Sequence, residues 1–416
     1  MWKLTKVAAV AAALAAAVAA HAGEVEVLHY WTSGGEAKSA AELKKMMQAK
    51  GHTWRDFAVA GGGGDSAMTV LKSRVISGNP PSAAQVKGPA IQEWASEGVL
   101  GNMDALAKSE KWDEALPKVV ADVMKYKGNY VAAPVNVHRV NWIWASSDAL
   151  KKAGVAAMPK TWDEFFAAAD KLKAAGLIPV AHGGQNWQDF TTFESVVLGV
   201  GGPKFYQDAL VKLDDKALTS DTMKKSLETF RRIKTYTDPG APGRDWNLAT
   251  AMLIQGKAGF QLMGDWAKGE FIAAGKAPGK DFMCAAAPGT ANAFTFNVDS
   301  FILFKLKDAA AQKAQSDLAS AIMSPGFQEV FNLNKGSIPV RAGQSMDKFD
   351  DCAKASAKDF ADTAKSGGLV PSVAHGMAIA PATEGAIKDA VSQFWNYAKV
   401  SVADAMKKIA TAAKTK

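Results

Sequence analysis

The sequence contains few of the residues that build redox and metal sites. It has two cysteines and six histidines among 416 residues. No CxxC pair occurs, and no histidines have the HExxH spacing of a zinc site, so we predict neither a bound metal nor a cofactor. Cys284 and Cys352 lie far apart in the chain. In an oxidising compartment an even pair predicts one disulfide, with two free buried thiols as the alternative.

Long apolar runs are also missing, with one exception at the N-terminus. The run from Val7 to Ala19 follows Lys3 and Lys6 and precedes the small-x-small sequence of residues 20–22 (Ala-His-Ala). It is shorter than the roughly 20 apolar residues that span a bilayer. The pattern therefore predicts a signal peptide over residues 1–22 rather than a membrane anchor, and export to the periplasm. Because this segment has no cysteine, a lipid-anchored start is not expected.

Charge of one sign is not concentrated in any block of the sequence. Lys and Arg number 49 against 41 Asp and Glu, and the lysines are mixed with the acids. This distribution predicts a basic surface and no nucleic-acid partner. The length exceeds what one compact core accommodates and indicates two domains. Strand-like segments such as residues 24–30 alternate with helix-like segments such as residues 36–50, which indicates an α/β fold.

The glycine run at residues 61–64 invites comparison with a phosphate-binding loop. However, the GxxxxGK[ST] pattern is absent, and no GxGxxG sequence with a downstream acid follows. We therefore predict a flexible turn between a strand at residues 53–60 and a helix that begins near Asp65.

Four stretches of the sequence carry a resemblance to a known family. They are VLHYWTSGGE at residues 27–36, VLKSRVISGNPPS at 70–82 with EWASEGVL at 93–100, MLIQGKAGFQLMGDW at 252–266, and MSPGFQEVFNLNKGSIPVR at 323–341. Together they resemble the periplasmic sugar-binding proteins of ABC importers, in the branch that includes maltose-binding proteins. The match is best to the Gram-negative glucose/mannose-binding group. One departure is Ser82, where the family commonly has Asp after the Pro-Pro turn.

The resemblance implies a two-lobed α/β periplasmic binding protein fold, with a hinge and a ligand cleft between the lobes. The N-lobe would contain residues 23–133 and 297–343. The C-lobe would contain residues 134–296 and 344–416. The first hinge crossing would lie near residues 133–136.

A sugar presents a rim of hydroxyl groups and apolar faces, so its site pairs charged or amide groups with flat aromatic rings. By resemblance, nine residues are expected to contact the ligand: Tyr30, Trp31, Glu36, Lys87, Trp266, Asn297, Asp299, Lys335 and His375.

Some of these assignments have competing interpretations. Glu36 opens a predicted helix, where the helix dipole favours a carboxylate without any ligand. Asn297 and Asp299 alternate along a strand, so both side chains should point the same way. Trp187 is a weaker ligand-contacting candidate, and Trp142 and Trp144 on a predicted strand are assigned to the core.

The resemblance implies a receptor that captures a monosaccharide, with glucose the first choice, by hinge closure and delivers it to an ABC permease. We expect a monomer and no catalysis; a chemoreceptor or sensor is left open as a further partner. The alternatives are a receptor for a disaccharide or oligosaccharide, and a secreted glycoside hydrolase. The hydrolase would use Glu36 and Asp299 as its carboxyl pair, but Lys87 and Lys335 would hold these acids ionised.

Overall fold

The computed structural model describes residues 22–415, so the predicted signal peptide lies outside the described residues except for Ala22. Within this range the chain forms fourteen strands: β1 Glu24–His29, β2 Thr53–Ala58, β3 Ala83–Gln85, β4 Lys125–Tyr126, β5 Asn129–Tyr130, β6 Ala132–Pro134, β7 His138–Arg139, β8 Trp142–Ser146, β9 Ile178–Val180, β10 Ala258–Leu262, β11 Phe282–Ala286, β12 Phe294–Asn297, β13 Ser300–Leu303 and β14 Leu369–Pro371.

Helices connect these strands almost throughout, which agrees with the predicted α/β alternation. In the described range they are α1 Gly34–Ala49, α2 Asp65–Ile76, α3 Pro89–Ser96, α4 Asp104–Ser109, α5 Trp112–Ala115, α6 Lys118–Val123, α7 Ser147–Lys152, α8 Trp162–Ala174, α9 Asn186–Tyr206, α10 Asp215–Leu218, α11 Asp221–Lys234, α12 Trp246–Ile254, α13 Ala267–Ala273, α14 Ala309–Met323, α15 Pro325–Lys335, α16 Asp351–Ser366, α17 Pro381–Asn396 and α18 Val402–Ala412. Short 3₁₀ and π-helical turns occupy Gly62–Gly64 and Gln207–Val211.

The first large sheet has the strand order β2-β1-β3-β13-β6. Strand β1 pairs in parallel with β2 and with β3, whereas β13 runs antiparallel to both β3 and β6. Val25, Val27 and Leu28 of β1 are fully buried and belong to the core around this sheet. Because parallel strands end at the same edge of a sheet, the loops that follow β1 and β3 lie close together.

The second large sheet has the order β11-β8-β10-β9 and a separate core. Strand β8 pairs antiparallel with β10 and β11, and β10 pairs in parallel with β9. Trp142 and Trp144 of β8 are buried, so their assignment to the core is confirmed. Trp144 also donates its indole N–H to the carbonyl of Met263 at 2.8 Å.

The chain crosses between the two sheets at three places. The first crossing lies between β6 and β7 and the second between β12 and β13; the third is tied to the first by the bridge of Val137 with Ile338. At the first two crossings the N–H of Val135 donates to the carbonyl of Asp299 at 2.7 Å. The molecule is thus two-lobed, as expected. The residue boundaries of the lobes given above stay a prediction.

A disulfide joins Cys284 of β11 to Cys352 of α16, so the predicted pairing is confirmed. The bond connects the second sheet to the helix that follows the third crossing. The disulfide thereby holds α16 to the second sheet. Over the described part of the chain, no helix is long and apolar enough to cross a bilayer.

Candidate functional site

A cavity of about 360 Å³ lies between the two lobes. All nine residues expected to contact a ligand line it: Tyr30, Trp31, Glu36, Lys87, Trp266, Asn297, Asp299, Lys335 and His375. Residues that were not on that list also line it, among them Gly61, Gly63, Gly64, His138, Gln185, Trp187, Asp245 and Trp246. The sequence thus predicted which residues converge, although their contact with a ligand stays a prediction.

The first sheet positions the N-lobe side of the cavity. Tyr30 and Trp31 directly follow β1, and Lys87 follows β3, the parallel neighbour of β1. The carboxyl ends of neighbouring parallel strands are the usual place for ligands in open α/β sheets. The indole of Trp31 is held by Phe301 and Phe331, with ring centroids 5.5 Å and 5.1 Å away.

Glu36 and Lys335 form a buried ion pair beside Trp31. The Lys335 Nζ to Glu36 Oε1 distance is 2.6 Å, and the side chains are 3% and 12% exposed. The other carboxylate oxygen of Glu36 accepts from the hydroxyl of Ser33, which precedes helix α1, at 3.0 Å. Glu36 therefore has the structural role at a helix start that competed with ligand binding, and it lines the cavity as well.

The hinge contributes a hydrogen-bonded cluster centred on Asp299. Its carboxylate is 2.9 Å from His138 Nε2 and accepts from the side-chain amides of Gln85 and Asn136 at 3.2 Å and 3.3 Å. The other ring nitrogen of His138 bonds to Asp265. Through the carboxylate of Asp299, this cluster connects the end of β3, the first crossing and the second crossing.

The electrostatics of this cluster bear on the hydrolase alternative. Burial raises the pKa of Asp299, but His138 and then Lys335 and Lys87 outweigh it and hold that pKa well below its usual range. Burial alone would lower the pKa of His138, but the carboxylates of Asp265 and Asp299 outweigh burial, so the pKa of His138 is raised. A glycosidase needs one carboxylic acid with a raised pKa to protonate the leaving group. Asp299 has the opposite shift and suits an ionised acceptor.

Two groups at the cavity lack a protein partner within the described residues. The side-chain oxygen of Asn297 is buried and accepts no hydrogen bond there. Lys87 forms no ion pair in residues 22–415; its Nζ lies 5.6 Å from the centroid of the Tyr30 ring, and burial lowers its pKa. Because a buried polar group without a partner is costly, both groups favour a ligand that supplies hydroxyl donors and acceptors.

Aromatic rings cover the C-lobe side of the cavity. The ring of His375 meets Trp266 and Trp187 edge to face, with centroids 4.8 Å and 5.8 Å apart. Trp187, the weaker candidate, therefore stands next to two of the stronger ones. Burial, together with Lys87, His138 and Lys388, holds the pKa of His375 well below its usual value. The ring is thus a neutral imidazole near pH 7.

A third group of lining residues was only partly visible in the sequence, which offered Trp187 as a weaker candidate but not the residues around it. The indole of Trp187 donates to Gln185 at 2.6 Å, and the amide of Gln185 donates to Asp245 at 2.7 Å. Trp246 follows Asp245 at the start of α12. The G-G-Q-N-W sequence before α9 was a visible signal for Trp187 and Gln185, but no signal connected it to residues 245 and 246, which lie 60 residues away.

The two lobes touch across the cleft at points that have no side chain. A Cβ atom on Gly88 would lie only 2.0 Å from the carbonyl oxygen of Gly376, and one on Gly35 would lie 2.7 Å from the carbonyl carbon of Gly269. The N–H of Gly35, at the start of α1, donates to the carboxylate of Glu270 at 2.8 Å. The lobes therefore meet through close backbone contacts at these two points.

Comparison with known proteins shows to which family this two-lobed chain belongs. The family described as bacterial extracellular solute-binding protein matches residues 31–320. A protein of Brucella suis biovar 1 (strain 1330), named probable sugar-binding periplasmic protein, is 48% identical over 420 residues, which is 99% of this chain and 99% of that one.

The chain belongs to the bacterial extracellular solute-binding protein family. It is a periplasmic binding protein and not an enzyme.

Solved structures confirm the two-lobed fold. A chitin oligosaccharide binding protein is similar over 94% of this chain and 98% of its own, with a TM-score of 0.78 and 18% identity. The bacterial solute receptor AcbH, described as preferring β-D-galactopyranose exclusively, has a TM-score of 0.76 and 19% identity over 94% and 98% of the chains. At such identities the likeness concerns the fold alone.

Proposed function

We propose that this binding protein captures a monosaccharide, with glucose the first choice, and delivers it to the membrane permease of an ABC importer. The observation that carries the proposal is the convergence of aromatic rings with charged and amide groups in one cavity between the lobes. The rings of Trp266 and Trp187 offer flat apolar surface, and Lys87, Asn297 and Asp299 offer hydrogen-bonding groups. This combination matches the two kinds of surface on a pyranose.

The size of the cavity supports one sugar ring rather than a chain. At about 360 Å³ it lies near the lower end of small-molecule pockets, roughly 300–1,000 Å³. Close backbone contacts between the lobes at Gly88 and Gly35 limit the room for a longer chain at those two points. The name of the Brucella relative supports a sugar in general without specifying which one.

The proposed mechanism is closure of the lobes around the ligand. Lys87 and Glu36 stand on one side, Trp266 and His375 on the other, and Asn297 at the hinge. A ligand that contacts both sides stabilises the closed state relative to the open one, because only the closed state makes all contacts at once. The permease would receive the closed form and release the sugar as the lobes separate.

A thermal-shift panel on residues 23–416 tests the ligand class. Glucose, galactose, mannose, maltose and cellobiose would each be added at increasing concentration. Glucose or a close monosaccharide should raise the melting temperature, because a ligand at 100 times its Kd stabilises the folded state by about 2.7 kcal/mol. A shift with the disaccharides alone would overturn the monosaccharide proposal in favour of a longer ligand.

The same preparation distinguishes binding from hydrolysis. Incubation with p-nitrophenyl glucosides of both anomeric forms should release no p-nitrophenol above the rate of buffer alone. Release that disappears in Asp299→Asn would contradict the receptor function.

Lys335→Ala should weaken glucose binding strongly, whereas Lys118→Ala, which removes a lysine from an exposed ion pair, should leave glucose binding unchanged.

A further inference from the structure

One face of helix α9 contacts the segment that carries His375. Trp187, Thr191 and Glu194 are spaced i, i+4 and i+7, so their side chains project from the same face. Trp187 packs against the ring of His375, and Thr191 and Glu194 hydrogen-bond to residues 372–375. Neither Thr191 nor Glu194 lines the cavity. Their contacts act on the ligand site only through this segment.

Glu194 holds the backbone just before His375. Its side chain is fully buried and accepts from the hydroxyl of Ser372 at 2.6 Å and from the N–H groups of Val373 and Ala374 at 2.9 Å and 3.1 Å. The hydroxyl of Tyr206 lies 2.8 Å from the same side chain and 3.0 Å from the carbonyl oxygen of Pro371. Three donors of residues 372–374 thus bond to Glu194, which fixes that segment.

Thr191 determines which nitrogen of His375 carries the proton. Thr191 Oγ1 is 3.0 Å from His375 Nε2 and 2.8 Å from the carbonyl oxygen of Trp187. A hydroxyl has one hydrogen, and a carbonyl can only accept, so the hydroxyl donates to Trp187. Nε2 must then donate to Thr191, which leaves Nδ1 unprotonated on a neutral ring. In the described chain Nδ1 has no hydrogen-bond partner.

We propose that Thr191 and Glu194 position His375 as a hydrogen-bond acceptor, with Nδ1 presented to the cavity for a ligand hydroxyl. The proposal rests on the proposed sugar-binding function for the identity of that ligand. Thr191 and Glu194 are positioning residues, and His375 is the group that meets the ligand. A site with a fixed acceptor favours a sugar with a donating hydroxyl at that place and disfavours the deoxy analogue.

The tautomer can be measured without any ligand. Long-range ¹H–¹⁵N NMR spectra of protein labelled at histidine identify the protonated nitrogen, and the signal that is lost in His375→Ala belongs to His375. We expect a protonated Nε2 in the wild type and a mixture of tautomers in Thr191→Val. The neighbouring Thr192→Val is the matched control, because the hydroxyl of Thr192 is buried without a partner within residues 22–415. A protonated Nδ1 in the wild type, or no change in Thr191→Val, would overturn the proposal.

Glucose titration by calorimetry tests the consequence for binding. Thr191→Val and Glu194→Ala should each raise Kd about tenfold, the equivalent of one lost neutral hydrogen bond. Glu194→Gln should restore most of the affinity, because its carbonyl can accept from the N–H groups of Val373 and Ala374 as Oε2 does. In a His375→Ala background neither change should have a further effect.

The two measurements separate the possible failures. Full additivity with His375→Ala would show that Glu194 does not act through His375 and would overturn the proposal. If Glu194→Ala does not fold, Glu194→Gln and Thr191→Val still give both readouts. A wild type that binds no sugar of the panel would contradict the proposed function, while the tautomer spectra would still decide whether helix α9 positions His375.

Discussion

His138 at the hinge and His375 on the C-lobe wall line the same cavity in opposite surroundings. His138 lies between the carboxylates of Asp265 and Asp299, which raise its pKa, and both of its ring nitrogens are engaged. His375 lies among aromatic rings and near Lys87, its pKa is lowered, and only Nε2 is engaged. The hinge therefore has a ring of raised pKa whose two nitrogens are both engaged, whereas the wall has a ring of lowered pKa with bonding capacity left.

The difference separates two tasks within one site. A cluster whose polar atoms all bond to one another holds the crossing segments in place and adds little new bonding to a ligand. A wall whose groups retain unused lone pairs or protons can form hydrogen bonds to a ligand. Substitutions at the hinge should thus affect folding and binding together, and substitutions on the wall should affect binding more than folding.

Asp299→Ala should have the largest effect of the changes that test this division. It leaves His138 buried with one carboxylate instead of two, and breaking a buried pair costs about 3–5 kcal/mol. We expect the free energy of unfolding, measured by urea titration, to fall by this order and glucose binding to be lost. Asp122→Ala, which breaks the exposed pair with Lys118, is the control and should change neither. An Asp299→Ala protein of normal stability would remove the distinction between hinge and wall.

Trp266→Ala should have the second-largest effect, and the quantity that changes should be the affinity for the ligand. The ring faces His375 and also lies 5.2 Å from His138, so its loss removes apolar surface from the ligand and contact from both histidines. We expect glucose Kd to rise on the order of 100-fold, about 2.7 kcal/mol. Trp94→Ala serves as the matched control, since Trp94 packs against Phe304 away from the cavity. Equal Kd values for the two variants would move the ligand elsewhere.

The smallest expected effect concerns stability: the contributions of His138 and His375 should change with pH in opposite directions. The folded pKa of His138 is raised, so its contribution to stability is complete below the unfolded value of about 6.5 and is lost as pH rises through the folded value. The folded pKa of His375 is lowered, so its contribution is complete above about 6.5 and is lost as pH falls through the folded value.

Urea titrations between pH 5 and pH 9 test these signs. Relative to wild type, His138→Gln should lose less stability on the alkaline side, and His375→Gln should lose less on the acid side. Shifts of the same sign in both variants would show that the two rings do not differ in charge.

The sequence predicted local structure and the members of the site better than their connections. The alternation of β1 and the buried strand β8 were visible because side-chain period and burial are local properties. The pairing of Cys284 with Cys352 followed from count and compartment, and the cavity residues followed from the family resemblance. None of these inferences required knowledge of which segments meet.

What the sequence could not supply is the set of bonds that join distant segments. His138 reaches Asp265 and Asp299 over separations of 127 and 161 residues, and Glu194 reaches Ser372 over 178. The glycines at residues 61–64 were predicted only as a turn, yet Gly61, Gly63 and Gly64 line the cavity. Such roles depend on how the lobes pack, which no local pattern encodes.

The contact of Gly88 with Gly376 has a consequence for the kinetics of release. The two backbones approach so closely that a ligand held behind them has no path past this point while they touch. Departure past this point then requires the lobes to part, so its rate depends on the frequency of that motion rather than on the lifetime of any one hydrogen bond. A partner that pulls the two backbones apart would empty the site without competing for a single polar group.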